Sequence, residues 1–327
     1  MRVAVLGGTR FIGPAVVDRL RAAGHEVAVL HRGGTDPHRA DVTDVRLDRA
    51  DEAVLGKALR DHRAEALIDT CAYSQRDAEV AIAAMPAGLH AVALSSMDVY
   101  QAFESLRAGR ATDPVPLTEA SPLRTTRYLY RGERIPLAGV DVDTYEKLDV
   151  EERYLAAGAV VLRLPMVFGE RDPLRREEFV LRRVRAGRAR IPFGAGTFLW
   201  SRGWAHDIAA AVALAAEADI AGQVLNVCES QTWTIEQWAR AILEAAGSDA
   251  ELARVPDDRL PEDLRLTGSI SQHLLVDSSR ARRALGWSDS DPMDAVRASV
   301  AWHLAHPPPE PEPDFSADDA ALRTRQP

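Results

Sequence analysis

The feature that most constrains this chain is its start, VAVLGGTRFIGPAVVDRL, residues 3–20. Residues 3–6 are apolar and uncharged and run straight into Gly7-Gly8. Ile12, Val16, Val17 and Leu20 then recur at helical spacing until Gly24. A strand that enters a glycine turn and leaves it as a helix gathers backbone N–H groups and a positive helix end at one point. That geometry suits a pyrophosphate. Gly7 and Gly13 occupy two of the three usual glycine places, and Arg10 stands at the middle one. An arginine cannot offer the same close backbone approach, but it offers charge to a phosphate.

The pattern repeats downstream. Strands are predicted over 27–30, 45–47, 66–69, 91–94 and 160–164, with helices over 52–63, 77–84 and 144–157. Short, continuously apolar strands alternating with helices indicate a buried parallel sheet covered on both faces. The fold class expected is α/β: a Rossmann-type doubly wound parallel sheet with a smaller C-terminal α/β substrate-binding region. Residues 1–168 are expected to form the nucleotide-binding domain and 169–304 the substrate-binding region, with some chain crossing between them. Over 169–304 the sequence predicts a helix at 174–190, a strand in QVLNVC and an amphipathic helix at 234–246. The Pro-rich acidic segment 305–327 is expected to be disordered.

Composition narrows the partners. The 327 residues carry a formal net charge of −9, so a basic nucleic-acid surface is not expected. Cys71 and Cys228 lack metal-type spacing and are read as reduced thiols of a cytoplasmic protein; no metal site is expected. No apolar run approaches the ~18–20 residues of a membrane helix.

The end of the second strand usually selects the nucleotide. An acid there would hold a ribose 2′-hydroxyl, and an arginine accommodates a 2′-phosphate. VLHRGG supplies His31 and Arg32 and no acid, which favours NADP over NAD; a solvated loop arginine is the plainer alternative. Asp48 either accepts from an adenine amino group or caps the next helix.

GGTRFIG, LIDTCAY, ALSSMDVY, EKLDVEE, VLRLPMVFG and RGWAHDIAAAVALA occur in one order over residues 1–215. In these pieces the chain resembles the extended short-chain dehydrogenase/reductase superfamily, in its NAD-dependent epimerase/dehydratase group. The GGTRFIG form is similar to an atypical subgroup that includes plant chloroplast RNA-binding relatives and many bacterial proteins. The resemblance implies NADP or NAD held by Gly7, Thr9, Arg10, Phe11, Ile12, Gly13, Arg32, Asp48, Arg49, Thr70, Cys71, Ala72, Ser95, Lys147, Pro165 and Val167. It implies a homodimer built from two helices per subunit. It also implies catalysis by Ser96, four residues before Tyr100, with Asp98 matching one of two acids found in sugar-nucleotide dehydratases and Met97 replacing the other.

The same resemblance aligns Lys147, followed by Glu151, with a lysine that holds the nicotinamide ribose. The tyrosine that should precede it by four residues is missing: position 143 is aspartate, and Tyr145 stands two residues before Lys147. Residues two apart on a helix point about 200° apart, so Tyr145 serves only if the helix starts after it or bends there. Asp143 is then a candidate N-cap. Aspartate is a poor base toward an alcohol, so the expectation is a rebuilt site with Ser96 and Lys147 retained and Tyr145 or Asp98 as acid/base.

Between Tyr100 and this helix lie about 40 residues, expected to form a pocket lid. Arg124, Arg127, Arg131 and Arg134, with Tyr128 and Tyr130, are candidates to face an anionic substrate. Arg202, in LWSRGWAHD, matches the family arginine that touches a substrate phosphate. Ser96, Tyr100, Arg131 and Arg202 are the substrate-binding set. The expected activity is that of an NAD(P)-dependent epimerase, dehydratase or reductase acting by hydride transfer at a hydroxyl or carbonyl carbon. Its substrate would be sugar-nucleotide-like or a secondary metabolite. The alternative is a non-catalytic nucleotide sensor that binds RNA or protein.

Overall fold

The computed structural model describes residues 1–33, 41–133, 140–309 and 314–323, so Arg134 lies outside the described residues. In chain order the strands are β1 (Arg2–Leu6), β2 (Glu26–His31), β3 (Thr43–Arg46), β4 (Ala66–Asp69), β5 (His90–Ser96), β6 (Val160–Leu164), β7 (Met166–Phe168), β8 (Arg190–Phe193), β9 (Arg202–Trp204), β10 (Val224–Asn226) and β11 (Glu251–Arg254). The helices are α1 (Ile12–Ala22), α2 (Glu52–Asp61), α3 (Gln75–Ala84), α4 (Gln101–Arg107), α5 (Lys147–Ala156), α6 (Glu178–Arg185), α7 (Ala205–Glu217), α8 (Ile235–Ala245), α9 (Ser279–Leu285), α10 (Pro292–Ala305) and α11 (Ser316–Leu322).

Seven strands form one parallel sheet in the order β10-β6-β5-β4-β1-β2-β3. Successive side chains of a strand alternate faces, and both faces here are dry. Val3 and Val5 enter a core with Val16, Leu20 and Val212 of α1 and α7. Ala4 and Leu6 enter another with Leu55, Leu59 and Tyr154 of α2 and α5. Burying each Leu contributes about 1.5–3 kcal/mol. Strand order reverses between β1 and β4, which opens a crevice at their carboxyl ends, where open α/β sheets bind ligands. A third core surrounds Trp238 and joins α6, α8 and α10 to the two-stranded pairs β8–β11 and β7–β9. The seventh sheet strand, β10, comes from the C-terminal half of the chain.

Three predicted elements are corrected. The helix expected at 144–157 begins at Lys147, with Glu146 rather than Asp143 as its N-cap; the Glu146 carboxylate accepts from Leu148 N. The helix expected at 174–190 shrinks to Glu178–Arg185, because Arg175 has φ +46° and breaks the helical run. Within 305–327, residues Ser316–Leu322 form a helix instead of a disordered tail. Its Asp318 is buried and accepts from the buried Arg183 at 2.7 Å, and Ala321 is buried beside it. A buried guanidinium needs a carboxylate, and this requirement is invisible in composition. Among the described residues no helix is long and apolar enough to cross a membrane, and no group of three or more His, Cys, Asp or Glu is placed to hold a metal ion.

Candidate active site

The end of β5 divides two serines between two jobs. Ser95 points inward and donates to Glu151 Oε1 at 2.6 Å. Glu151 also accepts from Arg163 at 2.9 and 2.7 Å, Arg163 Nη1 donates to the Tyr100 hydroxyl at 3.1 Å, and Tyr100 donates to Asn226 Oδ1 at 2.6 Å. Ser95 and the fully buried Tyr100 are therefore committed to a core strut, not to the cofactor and substrate contacts expected of them. Ser96 faces the other way and is half-buried. Its Oγ accepts from Asp98 N at 3.2 Å, and its own hydrogen has no acceptor among the described residues. That hydrogen is available to a substrate oxygen.

The local structure before α5 resolves the spacing of Tyr145 and Lys147. Glu146 is extended (φ −155°, ψ 99°) and pinned. Its carboxylate takes Nη1 of the buried Arg124 at 3.0 Å, Tyr128 N at 2.6 Å and Leu148 N at 2.9 Å, while its backbone N–H donates to Tyr73 O at 2.8 Å. Because the helix starts after Tyr145, the two-residue spacing no longer places Tyr145 opposite Lys147. Instead the Tyr145 hydroxyl donates to Asp98 Oδ2 at 2.9 Å, and Lys147 Nζ lies 5.9 Å from the Tyr145 ring centroid. Asp143 stays outside the site, accepting from Gly132 N at 2.9 Å.

Asp98 receives a second phenol. Tyr130 donates to the same Oδ2 at 3.2 Å, and its ring meets Tyr145 edge-on at 5.4 Å. Oδ1 of Asp98 is buried without a partner. Burial pushes the Asp98 carboxyl above the usual range, with Arg124, Tyr145 and Lys147 pulling the other way. Burial and the Asp98 charge push the Tyr145 phenol well up. Burial lowers Lys147, against the pull of Asp98 and Asp69. Tyr145 is thus held neutral, a donor rather than a resting phenolate. In sequence Tyr130 belongs to the segment expected to form a pocket lid. Nothing in the linear sequence links it to Asp98, 32 residues away.

The same cleft fits a nicotinamide dinucleotide. Gly7 has φ +84°, and a Cβ there would lie 2.4 Å from Thr70 Oγ1; a Cβ on Gly13 would lie 2.2 Å from Gly7 O. Only glycines close this turn. The turn delivers α1, whose N-cap Phe11 (φ +46°) makes no side-chain capping bond; Gly13 N donates to Arg10 O at 2.9 Å and Pro14 has no N–H, so the Ile12 N–H is the first-turn donor left for a phosphate. Thr9 and Ile12 are half-buried at this turn and Arg10 is exposed. Lys147 donates two of its three N–H bonds, to Ala72 O at 2.6 Å and Leu94 O at 2.9 Å, leaving one for a ribose hydroxyl.

Other expected cofactor residues are placed differently. Arg49 is bound to Asp69 at 2.9 and 2.7 Å and to Cys71 Sγ, and Thr70 Oγ1 donates to Leu6 O, so these side chains brace the loops under the crevice. Val167 is buried, Pro165 half-buried beside it. Arg32 is exposed after β2, where His31 pairs with Asp44. Asp48 is exposed and accepts from Ala50 N.

The expected substrate arginines are mostly engaged. Arg124 is buried on Glu146, and Arg127 pairs with Asp149 and Glu152. Arg131 lies over the Tyr128 ring and touches Asp143 O at 3.3 Å. Arg202 is buried over Trp238, donating to Trp233 O at 2.7 Å, with Nη1 unpartnered.

Known proteins share this fold. Residues 3–108 match the NAD dependent epimerase/dehydratase family. A 3-diazoavenalumate denitrifying reductase from a Streptomyces species is 29% identical over 322 residues, covering 89% of this chain and 97% of that protein. Among solved structures, Thermus thermophilus UDP-glucose 4-epimerase in complex with NAD superposes with a TM-score of 0.68 at 20% identity, over 94% of this chain and 100% of that one. The dTDP-glucose 4,6-dehydratase of Bacillus anthracis in complex with NAD gives 0.69 at 14% identity, over 94% and 97%.

Proposed function

From a chain whose residues 3–108 match the NAD dependent epimerase/dehydratase family, we propose a nicotinamide-dependent oxidoreductase, acting at a hydroxyl or carbonyl carbon, in which Tyr145 and Asp98 move one proton in series. The observation that carries this reading is the 2.9 Å hydrogen bond from the Tyr145 hydroxyl to a buried Asp98, beside Lys147. A bound reduced nicotinamide supplies the hydride. Ser96 donates to the substrate oxygen and holds it. As hydride adds to the carbonyl carbon, Tyr145 gives its hydroxyl proton to that oxygen, and the acid form of Asp98 returns a proton to Tyr145. In the reverse direction each proton runs backwards and Asp98 ends protonated. A carboxyl pushed up by burial suits such a store, because it keeps its proton to higher pH than an ordinary carboxyl. Tyr130 holds Asp98 in place and links it toward solvent.

The balance favours reduction. A phenol pushed up by burial still gives its proton to a nascent alkoxide, but it scarcely exists as a phenolate base. The named Streptomyces relative is a reductase, which supports the same direction. Arg32 favours NADP as cofactor, as the exposed cation at the end of β2. In this reading residues 1–168 carry the cofactor, 169–304 close the substrate pocket, and the protein works as a cytoplasmic homodimer on a sugar-nucleotide-like or secondary-metabolite substrate.

The test is a fluorescence titration with NADPH and NADH, then cofactor oxidation across a carbonyl panel. Tight NADPH binding with Tyr145-dependent turnover is expected. Preference for NADH would remove the Arg32 argument alone. No binding of either, oxidised forms included, would overturn the oxidoreductase reading in favour of a non-catalytic member of the fold.

A further inference from the structure

The segment between β7 and α6, GERDPLRRE (169–177), carries Arg171, Arg175 and Arg176. Beside it lies a groove of about 320 Å³, lined by Leu174, Phe179 and Leu266, by Arg175, Arg176 and Arg182, and by two carboxylates, Glu178 and Asp263, that Arg185, Arg182 and Arg183 already hold. Two of these arginines are engaged. Arg175 Nη2 donates to His306 O at 2.7 Å, and Arg182 Nη1 meets Asp263 at 3.0 Å. Arg176 differs. Among the described residues the one carboxylate within 4 Å of it is Asp172, 3.9 Å from Nε, beyond hydrogen-bond length. Asp172 is itself committed to backbone, accepting from Leu174 N at 2.9 Å and Arg176 N at 3.0 Å. Neither Nη1 nor Nη2 of Arg176 meets an acceptor among the described residues. Yet 24% of the side chain reaches the surface, so a ligand can reach it.

The surroundings are costly for a cation. Burial lowers the Arg176 guanidinium from its ordinary value, and Asp172 and Glu177 pull it back. A desolvated guanidinium with open donors, on an apolar wall, is a fork for a planar two-oxygen anion.

We propose that Arg176 is the substrate's anion receptor: it binds a carboxylate or phosphate group joined to a flat apolar body that lies against Phe179 and Leu266. The apolar walls and the engagement of Arg175 and Arg182 leave room for one such group. The receptor expected from sequence, Arg202, is buried on Trp238 and Trp233 O, and this role falls instead to a residue that no motif marks. The inference rests on the oxidoreductase reading only in calling the anion a substrate.

The experiment is calorimetric titration of the NADPH-loaded full chain with three probes: cinnamate, methyl cinnamate and phenyl phosphate. Wild type, R176Q and R176K are compared, with thermal melts to confirm folding. Cinnamate is expected to bind wild type about tenfold or more tighter than its ester, R176Q to erase that preference, and R176K to keep part of it. Phenyl phosphate binding more tightly than cinnamate would assign the anion to a phosphate; the opposite order would assign it to a carboxylate. Equal binding of acid and ester to wild type, an unchanged preference in R176Q, or no binding of any probe would overturn the proposal. NADPH binding is read on the same samples. Its absence with anion preference intact would sink the oxidoreductase reading alone, and its presence without anion preference would sink the receptor alone.

Discussion

Asp69 and Asp98 follow from adjacent parallel strands, β4 and β5, and both are buried beside a cation and tyrosines. Asp69 is saturated: two bonds from Arg49, one from Tyr154 at 2.6 Å and one from Cys71 N at 3.0 Å. Burial raises its carboxyl, but Arg49, Tyr154 and Cys71 N overcome that and hold it below the usual range. Asp98 receives two phenols on one oxygen and nothing on the other, and burial wins. The comparison teaches that a complete set of partners makes a strut and an incomplete one leaves a proton free to move.

The linkage signs are opposite. A depressed carboxyl contributes stability above its unfolded pKa and loses it as pH falls through the folded value. A raised one contributes at low pH and loses it as pH rises through the folded value. The largest break should come from Asp69→Asn. It removes both short bonds of the buried Arg49 to a carboxylate and leaves it only Asp77, 3.4 Å from Nε, so chemical denaturation at neutral pH should show a loss of about 3 kcal/mol. A stability near wild type would mean that the strut is not one. Tyr145→Phe should leave stability nearly intact and cut single-turnover hydride transfer about 10²–10⁴-fold. Asp98→Asn should be at least as stable as wild type at pH 8, the reverse of Asp69→Asn, while slowing reduction about 10–100-fold. In wild type, reduction should slow as pH rises through the Asp98 pKa, because the acid form supplies the proton; a pH–rate profile of the variant should lack that limb. The smallest effect belongs to Tyr130→Phe, which removes one of two phenols from Asp98: about a fivefold loss in kcat, worth about 1 kcal/mol. An equal effect of Tyr130→Phe and Tyr145→Phe would erase the distinction between the phenol that positions and the phenol that transfers.

The parallel sheet was legible because β1, β4 and β6 are apolar on both faces, and the glycine turn because a tight strand-to-helix turn admits little else. The Tyr145 problem was legible as a problem. Its answer was not, because the start of α5 is set by Glu146, whose partners Arg124 and Tyr128 lie about 20 residues upstream. Ser95 and Tyr100 were misassigned for a similar reason. A motif gives spacing, but Glu151, Arg163 and Asn226 decide which serine faces the core. Arg183 and Asp318, 135 residues apart, show the same limit at the tail. Charges that neutralise each other across the fold look like a solvated run when read in line.

The placement of β10 has a consequence for synthesis. β6 is the outer strand of the sheet until Val224–Asn226 pair with Val161–Arg163. On the ribosome, Ser96, Asp98, Tyr145 and Lys147 all emerge while that edge is bare, and an unpaired edge is a template for the wrong neighbour. The nascent chain completes these four candidate residues with Lys147, before β10 at Val224–Asn226 completes the sheet that carries them. A fragment cut at residue 168 would keep every group assigned to proton transfer and lack the strand that seals the sheet.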